Sequence, residues 1–285
     1  MASPLLHRDR NAVIGDHGRR VIGEPKAIGT GTQQLCAGLR ASRRNPWQSD
    51  FHKFLTEKGW TKDEAGGGIV RQFPDYPMFE DLCDDLVLCP RLVIEKSRRV
   101  LASWTVCALD IWLVSGGQDK RWPALMNSRN NRAVLLMALK QKDLQSSSWF
   151  LHERVKFIYD QLVQRGVREW WTDFPEIRFN AVEAVASNGG RIYALASGPD
   201  KVRGSGATLL HGEESSYWSN SRSTLAAANP VILGGGHIIL VTTPAVGSHL
   251  SDIVSGKGVR EDEKNDRMKI CPELNNQDQS GFGEK

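Results

Sequence analysis

The sequence has no long apolar segment and no strong net charge of either sign. Its longest apolar run, near residues 100–114, contains Asp110 and is too short to cross a bilayer. Charged residues occur throughout the first 20 positions, which is not typical of a secretory signal peptide. These features predict neither a membrane-spanning nor a secreted protein. The net charge of +4 comes from arginine clusters and is weak evidence for a nucleic-acid partner, because a mildly basic enzyme would look the same.

Cysteine is scarce and is not arranged for a metal. The chain has no C-x-x-C pair and no histidine at zinc-site spacing from any of its five cysteines, which are Cys36, Cys83, Cys89, Cys107 and Cys271. This pattern favours reduced thiols in a cytosol over disulfides or a zinc site.

The composition divides the 285 residues into three parts. Residues 1–69 are predicted to be a basic, partly disordered N-terminal arm and lead-in, and residues 251–285 a polar tail with few large apolar side chains. Between them, residues 70–250 alternate apolar strands with helices. The predicted strands begin at Leu92, Ala133, Arg191, Ala207 and His237. Such alternation predicts an α/β fold with a mostly parallel central sheet covered by helices on both faces.

The stretch Leu92–Val114 reads as a strand, a basic loop and an apolar helix, which is the geometry of a phosphate-binding loop. The standard pattern G-x-x-x-x-G-K-[ST] is absent. Leu101 and Ala102 occupy its glycine and lysine positions, although Ser103 stands where a magnesium-binding hydroxyl belongs, and the nearby lysine is Lys96. The alternative is a basic, solvated turn.

Two adjacent carboxylates, Glu213 and Glu214, end a second apolar strand. Because side chains alternate along a strand, the two point in different directions. One can hold Mg²⁺ while the other polarises a water molecule. The alternative is a solvated acidic strand end.

Two weaker signals lie nearby. Val241–Pro244 is a strand that ends in two hydroxyls, at the edge where open α/β sheets bind ligands, or it is simply a strand that stops. Arg203–Gly206 is a basic loop that could contact phosphate or DNA, or form only a turn.

The order of these segments resembles the ATPase domain of the large terminase subunits of tailed phages. Lys96–Arg99 with Ser103–Trp104 matches a variant phosphate loop whose lysine lies at the loop start. Asn188–Tyr217 matches the family's run from an Asn-Gly turn to its acidic motif, and Thr242–Thr243 matches its coupling motif. The resemblance covers roughly residues 70–250 and implies a P-loop NTPase-like (ASCE/RecA-like) ATPase core.

The resemblance implies an ATP- and Mg²⁺-dependent site. Glu214 would orient the attacking water, and Arg98 or Arg99 would stabilise charge on the transferring phosphoryl group. Ser103 and Glu213 would hold Mg²⁺. The implied nucleotide-binding residues, among which Lys96 would neutralise phosphate charge and the two threonines would sense the γ-phosphate, are Lys96, Ser97, Ser103, Arg203, Thr242 and Thr243.

The implied function is that of a motor driving double-stranded DNA into a procapsid, in the cytoplasm of an infected or lysogenic bacterial host. Its implied partners are the small terminase subunit, the portal and further copies in a ring, with no membrane. Leu101 and Glu213 depart from the family's glycine and aspartate. We expect residues 251–285 to hold no counterpart of the nuclease domain that normally follows, and therefore expect no DNA cleavage. A helicase-like DNA-dependent ATPase outside packaging, and a catalytically dead remnant acting as a binding module, remain alternatives.

Overall fold

The computed structural model describes residues 45–63, 67–97, 100–127, 130–139, 146–203, 206–255 and 269–274. The chain divides into two compact units, Met1–Arg43 and Arg44–Lys285, and the described residues all belong to the second. The boundary expected at residue 70 lies inside this second unit. Phe51, Phe54 and Leu55, which precede that boundary, are fully buried in its main apolar core.

The strands of the described residues are β1 (Trp60–Asp63), β2 (Ile69–Gln72), β3 (Arg91–Lys96), β4 (Ala133–Ala138), β5 (Ile177–Phe179), β6 (Glu183–Ala186), β7 (Arg191–Ala196), β8 (Leu209–Glu213), β9 (His237–Thr242) and β10 (Lys269–Leu274). The helices are α1 (Pro46–Ser49), α2 (Phe51–Lys58), α3 (Pro77–Leu88), α4 (Ala102–Val114), α5 (Ala124–Asn127), α6 (Ser146–Phe150), α7 (Phe157–Gln164), α8 (Val167–Trp170), α9 (Pro199–Val202), α10 (Ser221–Leu233) and α11 (His249–Val254). A π-helical segment, Leu151–Lys156, joins α6 to α7, and a 3₁₀ turn, Ser215–Tyr217, follows β8.

The main sheet of the described residues has eight strands in the order β10-β3-β9-β8-β4-β7-β6-β5. All neighbours from β10 to β7 are parallel, whereas β6 and β5 are added antiparallel at the far edge. Strands β1 and β2 form a separate antiparallel hairpin. The predicted mostly parallel sheet is therefore confirmed.

Apolar side chains alternate between two cores along the central strands. In β3, Leu92 and Ile94 pack in the larger core with α4, while Val93 packs in a second core with α10. Every residue of α4 is buried. This all-round burial agrees with its apolar sequence, since a helix that is apolar on all sides must lie between layers. Helices thus cover both faces of the sheet, as predicted.

Several elements were not predicted from the sequence, among them a helix, a hairpin and an edge strand of the main sheet. Helix α10 lies in a stretch for which the sequence predicts no helix, and it contains an internal proline, Pro230. The sequence likewise predicts no strand for the hairpin of β5 and β6. Strand β10 comes from the polar tail and pairs in parallel with β3, because pairing with an existing strand uses backbone groups and needs no separate core.

No helix within the described ranges has the length and apolarity needed to span a bilayer.

Candidate active site

Most of the predicted site residues that the structure describes lie at the carboxyl edge of three neighbouring parallel strands. Strand β9 lies between β3 and β8, with Glu95 opposite Thr242 and Glu213 opposite Val241. Each strand ends near this register, so the residues that follow, including Glu214 and Thr243, gather at one edge. That edge is where open parallel sheets bind ligands.

Glu214 links Lys96, at the end of β3, to Thr243, which directly follows β9. Its Oε1 lies 3.7 Å from Lys96 Nζ, and its Oε2 accepts a hydrogen bond of 3.2 Å from Thr243 Oγ1. The side chain of Glu214 is 36% exposed and that of Lys96 is 10% exposed. Glu214 has left-handed backbone angles, with φ of 49°, which turn it off the strand axis. A partly exposed carboxylate fixed in this way can polarise a water molecule.

Ser103 and Glu213 form a second, buried pair. Ser103 Oγ donates a hydrogen bond of 2.9 Å to Glu213 Oε2, which joins the first turn of α4 to the end of β8. Mg²⁺ prefers hard oxygen ligands in octahedral geometry, which places neighbouring ligand atoms about 3 Å apart. The chemistry and spacing of these two oxygens therefore fit Mg²⁺.

Leu101 introduces α4 with left-handed backbone angles, φ of 58° and ψ of 1°. The sequence places Leu101 where the standard loop has glycine, and this conformation is the one that glycine adopts without strain. No side chain caps the N-terminus of α4, so within the described residues the first N–H groups of a 13-residue helix keep their capacity to bind an anion.

Thr242 fastens the end of β9 to the turn after Glu214. Its buried Oγ1 accepts a hydrogen bond of 3.1 Å from the Ser216 backbone N–H and donates one of 3.0 Å to the Thr243 carbonyl. The two threonines thus have different contacts, because only Thr243 reaches Glu214. Hydrogen bonds thus join the end of β9 to the turn at Ser215–Tyr217.

The remaining predicted residues have separate outcomes. Ser97 directly follows β3 at the same edge. Arg203 ends α9, pairs with Asp200 at 3.2 Å and has no hydrogen bond to the site among the described residues. The helix that Arg203 follows packs beside α10, and the described contacts do not join Arg203 to Lys96, Glu213 or Glu214. The predictions for Arg98 and Arg99 fall outside the described residues.

A buried histidine, which sequence reasoning missed, stands behind Glu213. His211 Nε2 lies 3.0 Å from Glu213 Oε1, and His211 Nδ1 lies 2.7 Å from Asp110 Oδ2. Burial lowers the pKa of His211, but Asp110 and Glu213 outweigh it and raise the pKa to about 9. Burial also raises the pKa of Asp110, against the opposing effect of His211. The available signal was Asp110 itself, since a charge in an apolar helix requires a partner.

Cys107 lies close to the same group. Its Sγ and ligand atoms of His211 and Glu213 all lie within 4.8 Å of one another, a spacing that could hold a metal ion. The cysteine and its two neighbours come from α4 and β8, which sequence spacing does not reveal. Burial raises the pKa of the Cys107 thiol well above its usual value, as do Asp110 and Glu213. This shift disfavours the thiolate that a metal requires.

No protein-family model matches the chain. Among solved structures, the large terminase of bacteriophage HK97 is 12% identical, with a TM-score of 0.50 over 73% of this chain and 41% of its own. The fold is P-loop NTPase-like. A mutant large terminase ATPase domain of Thermus phage P74-26 is 11% identical over 64% of this chain and 70% of its own, with a TM-score of 0.47. The large terminase of a thermophilic bacteriophage, in complex with ADP, is 11% identical over 73% of this chain and 43% of its own, with a TM-score of 0.44.

The similarity to the HK97 protein confirms, at the level of the fold, the resemblance that the motifs indicated. This chain spans about two-fifths of the HK97 protein's length, because the match covers 41% of it. At 12% identity the two chains share an architecture, and the chemistry of this site depends on its own residues.

Proposed function

We propose that this chain is the ATP-hydrolysing motor domain of a DNA-packaging terminase, coupling ATP hydrolysis to the movement of double-stranded DNA into a procapsid. The observation that carries the proposal is the convergence of Lys96, Glu214 and Thr243 beside the Ser103–Glu213 pair. Phosphoryl transfer needs positioning and charge stabilisation rather than covalent chemistry by the protein, and this edge supplies both.

Each residue has a role that follows from its position. Lys96 neutralises phosphate charge, and the first turn of α4 receives the phosphates. Ser103 and Glu213 would hold Mg²⁺, which offsets charge on the phosphates when it is bound. Glu214 orients and polarises the attacking water. Arg98 or Arg99, which come between β3 and α4 in the sequence, stabilises the charge of the transferring group.

The contacts of Glu214 provide the coupling. Its carboxylate contacts Lys96 through one oxygen and Thr243 through the other. A γ-phosphate that enters beside Lys96 competes with Glu214 for the lysine and frees the carboxylate to bind water. Release of phosphate restores the pair, and Thr243 with Thr242 transmits the change to the turn at 215–217.

The proposed partners follow from the resemblance rather than from this edge of the sheet. They are double-stranded DNA, the small terminase subunit, the portal of a procapsid and further copies of the chain in a ring. The proposed location is the cytoplasm of the bacterial host.

Steady-state ATP hydrolysis by the purified protein, with Mg²⁺ and linear double-stranded DNA, tests the proposal. We expect Glu214→Gln to reduce turnover roughly 100-fold or more while nucleotide binding is kept, because an amide cannot act as a base. Glu183→Gln, on β6 three strands away from β8, is the matched control and should retain full turnover. An inactive wild-type protein would support a dead remnant. Stimulation by DNA alone, without a further increase from procapsid and small subunit, would favour a helicase-like ATPase.

A further inference from the structure

The imidazole of His211 lies between two carboxylates inside the protein. Its Nδ1 is 2.7 Å from Asp110 Oδ2, and its Nε2 is 3.0 Å from Glu213 Oε1. All three side chains are 0% exposed. A buried charge is tolerated only where partners satisfy it, so this arrangement restricts each group to one orientation.

The local structure explains why these groups meet. Side chains alternate along β8, so Leu209, His211 and Glu213 face α4, whereas Leu210 faces the second core. On α4, Ser103 and Asp110 are seven positions apart, which places them on one face about two turns from each other. The hydrogen bonds therefore run without interruption from Asp110 through His211 and Glu213 to Ser103.

Glu213 has one more rotatable bond than the aspartate that the resemblance leads one to expect, and that freedom has to be restricted if the carboxylate is to bind a cation. In the structure both of its oxygens are held, Oε1 by His211 and Oε2 by Ser103. We propose that His211, oriented by Asp110, is a positioning residue that holds the Glu213 carboxylate against Ser103 and so preforms the Mg²⁺ site. This role rests on the proposed function. Groups that hydrogen-bond a metal-ligating carboxylate commonly contribute roughly 10- to 100-fold to metal affinity.

The contacts favour a His211 that hydrogen-bonds Glu213 over a His211 that binds a second metal ion together with Cys107. Each ring nitrogen of His211 already has a carboxylate oxygen at hydrogen-bond distance, which leaves no nitrogen lone pair directed at an ion. The 3.0 Å separation from Nε2 to Oε1 is that of a donor and an acceptor.

Two substitutions separate the two hydrogen bonds of the ring. In His211→Gln the amide nitrogen replaces Nε2 and can still donate to Glu213, whereas in His211→Asn it replaces Nδ1 and faces Asp110. The affinity of a non-hydrolysable ATP analogue, titrated in Mg²⁺ and in EDTA, gives the factor by which Mg²⁺ tightens binding. We expect this factor to fall roughly tenfold in His211→Asn and to be largely kept in His211→Gln. The affinity measured in EDTA should be the same for the wild type and both variants.

His237→Asn is the matched control, since His237 is another buried histidine but lies at the start of the neighbouring strand β9. It should leave the Mg²⁺ factor unchanged. Thermal melts establish that each variant is folded. If His211→Asn does not fold, Asp110→Asn replaces it, and this variant should also lower the Mg²⁺ factor.

An unchanged Mg²⁺ factor in folded His211→Asn would overturn the role of His211 while leaving the proposed function intact. A wild-type protein whose nucleotide binding does not respond to Mg²⁺ would overturn both. Stoichiometric zinc in the purified protein would also overturn the inference, because His211 would then be a metal ligand.

Discussion

His211 and His237 are both buried, lie on neighbouring strands and have opposite pKa shifts. His211 sits between two carboxylates, and its pKa is raised to about 9. His237 stacks on Trp122 with ring centroids 3.5 Å apart, and the Leu86 carbonyl lies 3.2 Å from its Nδ1. Burial therefore prevails and lowers the pKa of His237 to about 4. Surroundings, rather than depth, decide whether a buried imidazole carries a charge.

The two histidines also mark two regions with different tasks. His237 begins β9, at the amino edge of the strand, where ring stacking dominates. His211 lies towards the carboxyl edge, where Lys96, Glu213 and Glu214 bring several charges together. A change near His237 should therefore alter stability alone, while a change near His211 should also alter the binding of a charged ligand.

Removing the partner of His211 should have the largest effect on stability. Asp110→Ala leaves the buried Nδ1 of His211 without its partner, while Glu213 still faces Nε2, and we expect it to reduce the free energy of unfolding by roughly 3–5 kcal/mol. Urea unfolding at pH 7 measures the difference. Asp84→Ala is the control, because Asp84 pairs with Arg121 at the surface and should contribute about 1 kcal/mol or less. Equal losses of unfolding free energy for the two variants would mean that the buried His211–Asp110 pair stabilises the fold no more than a surface ion pair does.

Lowering the pH should remove the contribution of the neutral His237 ring to the free energy of unfolding. Its pKa is lower in the folded protein than the usual 6.5, so the neutral ring stabilises the fold above pH 6.5, and this contribution is lost as the pH falls towards 4. The lowering of the pKa from 6.5 to about 4 corresponds to roughly 3 kcal/mol of unfolding free energy. Because carboxylates also titrate in this range, the quantity to measure is the difference in unfolding free energy between wild type and His237→Asn at each pH. A difference that stays constant from pH 7 to 4 would contradict the prediction.

The smallest effect on stability is expected at Leu101, within the site region. Glycine removes left-handed strain of roughly 1–2 kcal/mol, but it adds freedom to the unfolded chain worth roughly 0.5–1 kcal/mol and loses the packing of Leu101 on the core. Leu101→Gly should therefore change the free energy of unfolding by about 1 kcal/mol or less. Leu101→Val, which is β-branched, should be the more destabilising of the two. The reverse order in thermal unfolding would mean that the left-handed conformation is not kept in solution.

Much of the fold could be predicted because its central strands are apolar and short. The runs at 92–94, 133–139, 191–196 and 237–243 each lie in an observed strand, with small differences at the ends. Helix α10 was missed since its sequence has Ser, Asn and an internal Pro230. Strand β10 was missed because polar composition says nothing about pairing with a distant strand.

The candidate site also has a part that could be predicted from the sequence and a part that could not. Lys96, Ser103, Glu214 and Thr243 could be predicted to gather because parallel strands end at one edge, and the structure places them there. Their roles in ATP hydrolysis stay predictions. The support behind Glu213 could not be predicted, since it depends on a contact between His211 and Asp110, which are 101 positions apart. Sequence motifs identify side chains that contact a ligand more readily than the buried side chains that position them.

Calorimetric titration of a non-hydrolysable ATP analogue with Mg²⁺, into wild type and Lys96→Ala, tests the central claim that this edge binds nucleotide. We predict one site per chain in the wild type and an affinity weaker by roughly tenfold or more in the variant, because a charge-assisted contact to phosphate contributes about 1.5–3 kcal/mol. Lys62→Ala, on β1 outside the main sheet, should bind as the wild type does. Equal affinities for wild type and Lys96→Ala, or no binding to either, would contradict the account.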